Sequence, residues 1–206
     1  MTCGEIITAI RHYLDEVNAD NSHWSDSRLM VFIFEGLVDL AVKIPAPLIP
    51  KLGSSYYLYL SPTVSNYTFS EDIIKLDCVK VYGKMADLYE LRDSNTVTDH
   101  SGRIPSKAKP AVVRWGETFT VYPTPGTADA VEKIIWYFTR PPTPISDELD
   151  VPEVPSYMHR WLVIFGAYRC LLEDGDTNQA TVAYQEYVNS IASILPEIKE
   201  AGNAPK

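Results

Sequence analysis

The segment from Asp147 to Leu172 constrains the fold most, because an acidic stretch interrupted by prolines leads directly into an apolar run. Pro152 and Pro155 cannot lie inside a regular helix, and Ser156 can accept hydrogen bonds from free backbone N–H groups. A helix is therefore predicted to begin at Ser156. Its apolar residues recur at spacings of one, three and four, so one broad face must be buried. These residues are Trp161, Leu162, Ile164, Phe165, Tyr168, Leu171 and Leu172.

A second helix is predicted directly after the first. Ala180–Leu195 repeats apolar residues with a helical period, and the polar turn Glu173–Asn178 is short enough to join antiparallel neighbours. This turn starts like a calcium-binding loop, yet Gln179 stands where such a loop requires glycine. We therefore expect Asp176 or Thr177 to cap the second helix instead of binding a metal.

Two further helices are predicted near the N-terminus. The first ends in the polar stretch before Asp26. The second begins at Ser25 and extends as far as Pro45. Ser25 is predicted as its N-cap, because it directly follows the apolar residue Trp24, which suits the position before a cap. The apolar residues of the first helix are Ile6, Ile7, Ile10, Leu14 and Val17, and those of the second are Leu29, Met30, Phe32, Ile33, Leu37, Leu40 and Ala41.

The middle of the chain has the alternating and β-branched patterns of strands, bounded by Pro, Gly, Ser and Asn. Gly116 and Glu117 separate two of these runs and predict a tight hairpin. Only Lys84–Arg92 is ambiguous, because its spacing of Met85 and Leu88 suits a short helix. The predicted strands are Tyr56–Leu60, Ile73–Tyr82, Ala111–Trp115, Thr118–Tyr122 and Lys133–Arg140.

These elements predict an α+β protein: a four-helix base, with two N-terminal and two C-terminal helices, and an inserted antiparallel β-rich subdomain. Pro196, Gly202 and Pro205 oppose a helix near the end of the chain, so a flexible tail is expected there. The predicted parts are an N-terminal helical pair (1–44), a β-rich insertion (45–145), a C-terminal helical hairpin (146–195) and a C-terminal tail (196–206).

Charge and cysteine content limit the function classes. The chain carries 27 Asp and Glu against 18 Lys and Arg, a net charge of −9, and no sequence block interleaves basic with aromatic residues. Both observations argue against a simple nucleic-acid binder. Three scattered cysteines predict neither a disulfide framework nor a zinc site. No secretory segment and no long apolar span occurs, so a soluble protein without membrane insertion is expected.

Catalytic motifs do not stand out in the sequence. None of the four histidines belongs to a metal-binding or nucleophile motif, so each is expected on a surface or a helix face. Cys170 lies on an apolar helix face and is predicted to be part of the core. We predict no catalytic residue, no cofactor and no metal. Tyr56, Tyr57 and Tyr59 must alternate between the two faces of their strand, so about half of them point inward.

Four segments in order resemble the head-to-tail adaptor proteins of tailed bacteriophages, particularly the tail tubular A type of short-tailed phages. They read WSDSRLMVFIFEGLVDLAVKIP, SGRIPSKAKPAVVRWGETFTVYPTPG, IIWYFTRPP and DELDVPEVPSYMHRWLVIFGAYRCLLEDGD. The resemblance implies a homo-oligomeric ring, usually of twelve copies, beneath the portal protein. It further implies a platform for the tail nozzle or tail tube protein and a passage for double-stranded DNA without specific binding. Such a protein belongs to the virion and assembles in the host bacterial cytoplasm.

The resemblance also implies two contact regions. The C-terminal tail is expected to dock on the portal, and two loops, Pro62–Ser70 and Asp93–Ile104, are candidates for the tail-facing surface. The portal-docking residues are Pro196, Glu197, Ile198, Lys199, Ala201, Gly202, Asn203, Pro205 and Lys206. The tail-facing residues are Ser65, Asn66, Tyr67, Asn95, His100 and Arg103.

An alternative function class remains open at the level of sequence: a virion-associated protein that binds or hydrolyses cell-wall glycans. Hydrolysis would need two carboxylates about 5 to 9 Å apart beside a sugar-sized cleft. Glycan binding would need outward tyrosines on the β surface, and the 13 tyrosines of the chain favour it.

Overall fold

Helices and strands occupy separate parts of the chain in the structure, a computed structural model. The residues that it describes are 1–16, 23–69, 72–90 and 104–202. One compact unit comprises Met1–Leu52 and Pro142–Lys206 and is called here the helical unit, and Gly53–Pro141 forms the β unit. Within the described residues, four α-helices and two four-stranded sheets confirm the predicted α+β class.

The helices of the helical unit are α1 (Cys3–Tyr13), α2 (Asp26–Lys43), α3 (His159–Glu173) and α4 (Thr177–Gly202). A reciprocal capping box starts α1: the Glu5 N–H donates to Thr2 Oγ1 (3.3 Å) and the Thr2 N–H donates to Glu5 Oε2 (2.9 Å). Ser25 accepts from the Arg28 N–H and confirms the predicted N-cap of α2. Val17 lies outside the described residues.

The start of α3 differs from the prediction. A 3-10 helix spans Ser156–Met158, the α-helix begins at His159, and neither has a side-chain cap. Pro155 supplies the reason, because its carbonyl accepts from the Met158 N–H (2.9 Å) and closes a tight first turn. The Pro155 carbonyl therefore satisfies the Met158 N–H, and the hydroxyl of Ser156 is not required as a cap.

The last helix starts as predicted and ends later. Asp176 Oδ1 accepts from the Gln179 N–H (3.1 Å), which confirms Asp176 as the cap of α4. The helix then continues through Pro196 to Gly202, so the expectation that it ends at Leu195 is wrong. A proline removes one helical hydrogen bond, and about five turns of helix already precede it here. Their packing holds the helix in place, and one missing bond does not end it.

α3 lies at the centre of the helical unit, where it packs against α1, α2 and α4. Trp161 is 8% exposed and Cys170 is fully buried, as the apolar period predicted. Gly36 of α2 allows close packing, since a Cβ there would lie 3.0 Å from Phe165 Cδ1. The four helices therefore share one core.

The β unit is built from two sheets that face each other. The first sheet has the order β1-β8-β3-β4 and the second has the order β2-β7-β6-β5. Their inward side chains form one core around the fully buried Trp136. The strands are β1 (Gly53–Tyr59), β2 (Asn66–Thr68), β3 (Lys75–Val81), β4 (Lys84–Met85), β5 (Asp87–Glu90), β6 (Ala111–Trp115), β7 (Thr118–Tyr122) and β8 (Lys133–Thr139).

Several strand predictions are confirmed. β6 and β7 have the predicted bounds, and Gly116 takes a φ of +59° in the turn between them. In β1, Tyr56 packs against the core whereas Tyr57 and Tyr59 are exposed, as the alternation of faces requires.

The ambiguous segment Lys84–Arg92 is not helical over the part that the structure describes. Tyr82 and Gly83 both have positive φ, 54° and 70°, and they form a two-residue turn that pairs β4 back onto β3. β5 then pairs in parallel with β6, so the second sheet is mixed and not wholly antiparallel as predicted. The helical spacing in this segment is coincidental, because pairing with β6, which is distant in sequence, decides its conformation.

No helix among residues 1–16, 23–69, 72–90 and 104–202 combines the length and apolar character needed to cross a membrane.

Candidate functional site

The first candidate contact surface is an apolar stripe on α2. Val31 and Val42 are 44% and 54% exposed, and Phe34 and Val38 between them are half-buried. The spacings of three and four place all four side chains on one side of the helix. This set is called here the α2 stripe. An apolar row of this length on an outer helix face is typical of a surface that packs against another protein.

Polar contacts lock α2 beside this stripe. The Tyr187 hydroxyl donates to Asp39 Oδ2 at 2.5 Å, and Lys43 Nζ lies 2.8 Å from the same oxygen. Tyr187 is fully buried, and burial and then the bond to Asp39 raise its pKa, so the phenol stays protonated and donates. On α3, Arg169 Nε lies 3.0 Å from Glu35 Oε2. These bonds fix α2 to α3 and α4, so the α2 stripe is presented on a rigid helix.

The second candidate surface is the acidic segment Asp147–Glu153, called here the acidic strap. Asp150 Oδ2 accepts from the N–H groups of Ser146 (2.9 Å) and Asp147 (3.0 Å), and these bonds lower the pKa of Asp150. The carbonyls of Glu148 and Asp150 accept from Gly4 and Cys3 at the start of α1, each at 2.8 Å. The strap is therefore anchored by its backbone.

The outer side of the acidic strap combines charge with exposed apolar side chains. Leu149 is 79% exposed and Val151 is 54% exposed. Beside the strap lies a small cavity of about 210 Å³, lined by strap residues, by residues 143–146 that precede the strap and by Leu37 of α2. The strap can thus present two apolar side chains flanked by carboxylates to a partner.

Partly buried polar contacts also hold a loop of the β unit. Lys107 Nζ lies 2.5 Å from Asp129 Oδ1, and the Gly126 N–H donates to Asp129 Oδ2 at 2.7 Å. Lys107 first, and then Gly126, lower the pKa of the buried Asp129 carboxyl. The Tyr82 hydroxyl donates to the Pro123 carbonyl at 3.0 Å, and burial raises the pKa of Tyr82 to about 12. These bonds tie the loop around Lys107 to the turn that precedes β8.

A family model described as SU10 adaptor protein matches residues 1–205. The chain belongs to this adaptor family. The match confirms the resemblance to phage head-to-tail adaptors that the sequence pattern indicated. Among curated proteins, none matches the sequence.

Family membership indicates a structural protein of a bacteriophage and a component of the virion. An adaptor of this kind contacts capsid and tail components. The adaptor family does not favour the alternative of a glycan-binding or cell-wall-hydrolysing protein.

The predicted tail-facing residues of the adaptor fall in two places. Ser65 and Asn66 lie at and beside β2, where Asn66 Oδ1 accepts from Thr120 Oγ1 at 2.8 Å. Tyr67 is not on a loop: it lies in β2, is buried, and uses its hydroxyl to bind the Ser61 N–H and the Val64 carbonyl, each at 3.0 Å. The loop placement of Asn66 and Tyr67 is therefore wrong, because both pair with β7, and the ring of Tyr67 completes the core. Asn95, His100 and Arg103 lie outside the described residues.

The predicted portal-docking residues divide at the end of α4. Pro196, Glu197, Ile198, Lys199, Ala201 and Gly202 have helical backbone, and Asn203, Pro205 and Lys206 lie outside the described residues. Docking of this segment on a portal stays a prediction.

One of the four histidines is buried. His159 is the first residue of α3, so it lies on a helix face as expected; its Nε2 lies 3.2 Å from the Val154 carbonyl and its Nδ1 lies 2.9 Å from the amine of Met1. Burial first, and then the charge of that amine, lower the pKa of His159. The sequence did not predict this burial, because His159 lies in the polar-looking entry to α3, before the apolar period begins.

The turn that resembles the start of a calcium loop has a structural role. Over the described part of the chain, no three or more His, Cys, Asp or Glu side chains gather as a metal site would require. Asp176, the second ligand position of the calcium-loop pattern that begins at Asp174, instead accepts from the Gln179 backbone and side chain. Its carboxylate thus serves as the cap of α4.

Proposed function

We propose that this protein forms a homo-oligomeric ring beneath the portal and joins the DNA-filled capsid to the tail nozzle or tail tube. The family match over residues 1–205 carries the proposal, since it extends over both units. A copy number of twelve follows from the resemblance to tail tubular A proteins. Double-stranded DNA passes through the centre of this ring on its way out of the capsid.

The α2 stripe supports lateral association between copies. A closed ring needs a head-to-tail interface, in which one surface of each copy binds a different surface of the next. Exposed Val31 and Val42 provide apolar area for one side of such an interface. The hydrogen bonds of Asp39 hold the helix fixed before association, which lowers the entropic cost of ordering it.

The portal contact is proposed for the C-terminal segment from Pro196 to Lys206, and the tail contact for the loops around Ser65 and Asn66 and between Asp93 and Ile104. Repetition of a weak contact around a ring multiplies its strength, so a short segment is sufficient.

The proposed role needs no catalysis. With a net charge of −9 the protein repels phosphate on average, which lets DNA pass without specific binding. Assembly is proposed to occur in the host cytoplasm.

Electron microscopy of the purified chain, alone and mixed with its portal protein, tests the proposed function. Rings on the portal, and capsids that lose their genome when the adaptor is absent, are the expected result. A matched control replaces the portal with an unrelated ring protein, to which no adaptor should attach. A wild-type chain that neither forms rings nor binds the portal would exclude the proposal. Release of cell-wall fragments by the purified protein would instead support the glycan-hydrolysing class.

A further inference from the structure

The outer face of the first sheet brings lysines and tyrosines together from three strands. Tyr57 of β1 pairs with Ile135 of β8, and Ile135 pairs on its other side with Lys80 of β3. Tyr59 of β1 pairs with Lys133 of β8. Tyr137 lies on the same face, because it is two residues from Ile135 in β8. Met85 of β4 pairs with Lys80 and completes the row. This surface is called here the Lys–Tyr face, and it comprises Tyr57, Tyr59, Lys80, Met85, Lys133, Ile135 and Tyr137.

The lysines of this face bind to aromatic rings and not to carboxylates. Lys133 Nζ lies 4.2 Å from the ring centroid of Tyr57 and 5.0 Å from that of Tyr59, and Lys80 Nζ lies 5.2 Å from that of Tyr137. Among the residues that the structure describes, no ion pair involves Lys80 or Lys133. The rows of the Lys–Tyr face also contain no Asp or Glu. Their positive charge is therefore not neutralised within the face.

Apolar area accompanies this charge. Tyr57, Tyr59 and Met85 are 53%, 56% and 55% exposed. Tyrosines are enriched in protein interfaces, because they bury much area at a low entropic cost. A face that combines two lysines with exposed aromatic and aliphatic groups fits an acidic segment whose apolar side chains project outward.

We propose that the Lys–Tyr face binds the acidic strap of a second copy of this chain. The strap has the complementary pattern: Leu149 and Val151 project outward, and Asp147 and Glu148 supply negative charge beside them. The two surfaces lie on different units, so the contact is head-to-tail and repeats from copy to copy, as a ring requires. The inference rests on the proposed function and adds to it the pair of surfaces that meet.

Duplex DNA is the less favoured occupant of the face. Two lysines would release few counterions, which gives weak binding with only a shallow salt dependence. The strap offers apolar contacts for the exposed tyrosines, whereas a phosphate backbone does not. Binding to DNA or to a tail protein is therefore treated as an outcome of the test.

Charge reversal tests the inference. The double variant Lys80→Glu, Lys133→Glu should weaken self-association roughly tenfold to a hundredfold in analytical ultracentrifugation, because like charges would then face each other. The variant Asp147→Lys, Glu148→Lys should weaken it similarly. Lys84→Glu is the matched control, since this exposed lysine pairs with Val81 and lies outside the Lys–Tyr face. It should assemble as the wild type does.

Combining the two reversed surfaces gives the decisive result. In a chain carrying all four substitutions, the face is negative and the strap is positive, so the two surfaces attract each other again. This chain should recover rings. A variant that merely failed to fold could not do so. Circular dichroism of each double variant provides the folding control.

Normal rings from Lys80→Glu, Lys133→Glu, or no recovery in the fourfold variant, would overturn the inference and leave the proposed function intact. Normal rings with loss of duplex DNA binding or of tail-protein binding would assign the face to that partner. A wild-type chain that never assembles would overturn the proposed function as well.

Discussion

Gly166 of α3 faces Ile10 of α1 so closely that a Cβ on the glycine would lie 2.4 Å from Ile10 Cδ1. Ile10 is fully buried, so its side chain has little room to turn away. We expect Gly166→Ala to lower the free energy of unfolding by about 1 kcal/mol. Overpacking costs about 1 to 3 kcal/mol, and the better helix propensity of alanine offsets up to about 1 kcal/mol of it. Urea denaturation measures the difference.

Ile10→Val provides the matched partner for that measurement, because it removes the methyl group that clashes. The double variant should be more stable than the sum of the two single effects predicts, which a double-mutant cycle detects. Strict additivity would show that the two side chains do not compete for the same space.

Trp161→Ala should destabilise the helical unit by about 3 to 5 kcal/mol, as truncation of a large buried side chain does. Trp161 is buried and its ring meets that of Tyr157 edge to face at 6.1 Å between centroids. Thermal unfolding measures the effect. Leu149→Ala, on an exposed side chain, serves as the control and should change the melting temperature little. An unchanged melting temperature for Trp161→Ala would assign this residue to an interface instead.

Tyr187→Phe should cost about 1 to 2 kcal/mol, because Asp39 loses a buried donor and keeps only Lys43. Tyr184→Phe is the comparison, since the Tyr184 ring is partly exposed and lies on the same helix. Chemical denaturation of both variants measures the two losses of unfolding free energy. Equal effects would mean that the hydroxyl of Tyr187 contributes no specific bond.

Acidification should destabilise the protein through His159. Burial lowers its folded pKa below the ordinary 6.5, so the unfolded state binds more protons in this range. The stability that the neutral ring contributes is therefore present above about pH 6.5 and is lost as the pH falls towards the folded pKa. The charges that act on the ring are the amine of Met1, Lys51 and Glu5.

The pH dependence of the melting temperature tests this prediction. His159→Gln should flatten the fall in stability just below pH 6.5. Asp129 and Asp150 have lowered pKa values, and their contribution is lost at lower pH, below the ordinary carboxyl value of 3.8. An unchanged slope for His159→Gln would show that this ring does not control the acid response.

A chain ending at Leu195 should keep its melting temperature and attach poorly to DNA-filled capsids. Among the α4 residues whose side chains the structure describes, 177–194, the buried ones are Ala180, Ala183, Tyr187 and Ile191, and all are kept in the shortened chain. Only a partner contact would then be lost, which capsid sedimentation with the truncated chain measures. Normal attachment would move the portal contact onto the helical unit.

Elements whose signals are local could be predicted from the sequence. Ser25 was predicted as one cap, and Asp176 or Thr177 as another, because a cap needs only a side-chain oxygen within one turn of the helix; the structure selects Asp176. The hairpin at Gly116 followed from a glycine between two short alternating runs. Apolar spacing placed Trp161 and Cys170 in the core, since helical period and burial are directly linked.

Features that depend on distant partners followed from the packing of the folded chain. Asp87–Glu90 became a strand because it pairs with β6, and Tyr67 became a core residue because β2 pairs with β7. The lysines and tyrosines of the Lys–Tyr face are separated by as many as 80 residues, from Tyr57 to Tyr137, and strand register alone brings them together. A sequence window reports local periodicity, whereas the register between distant strands is set by the packing of the whole sheet.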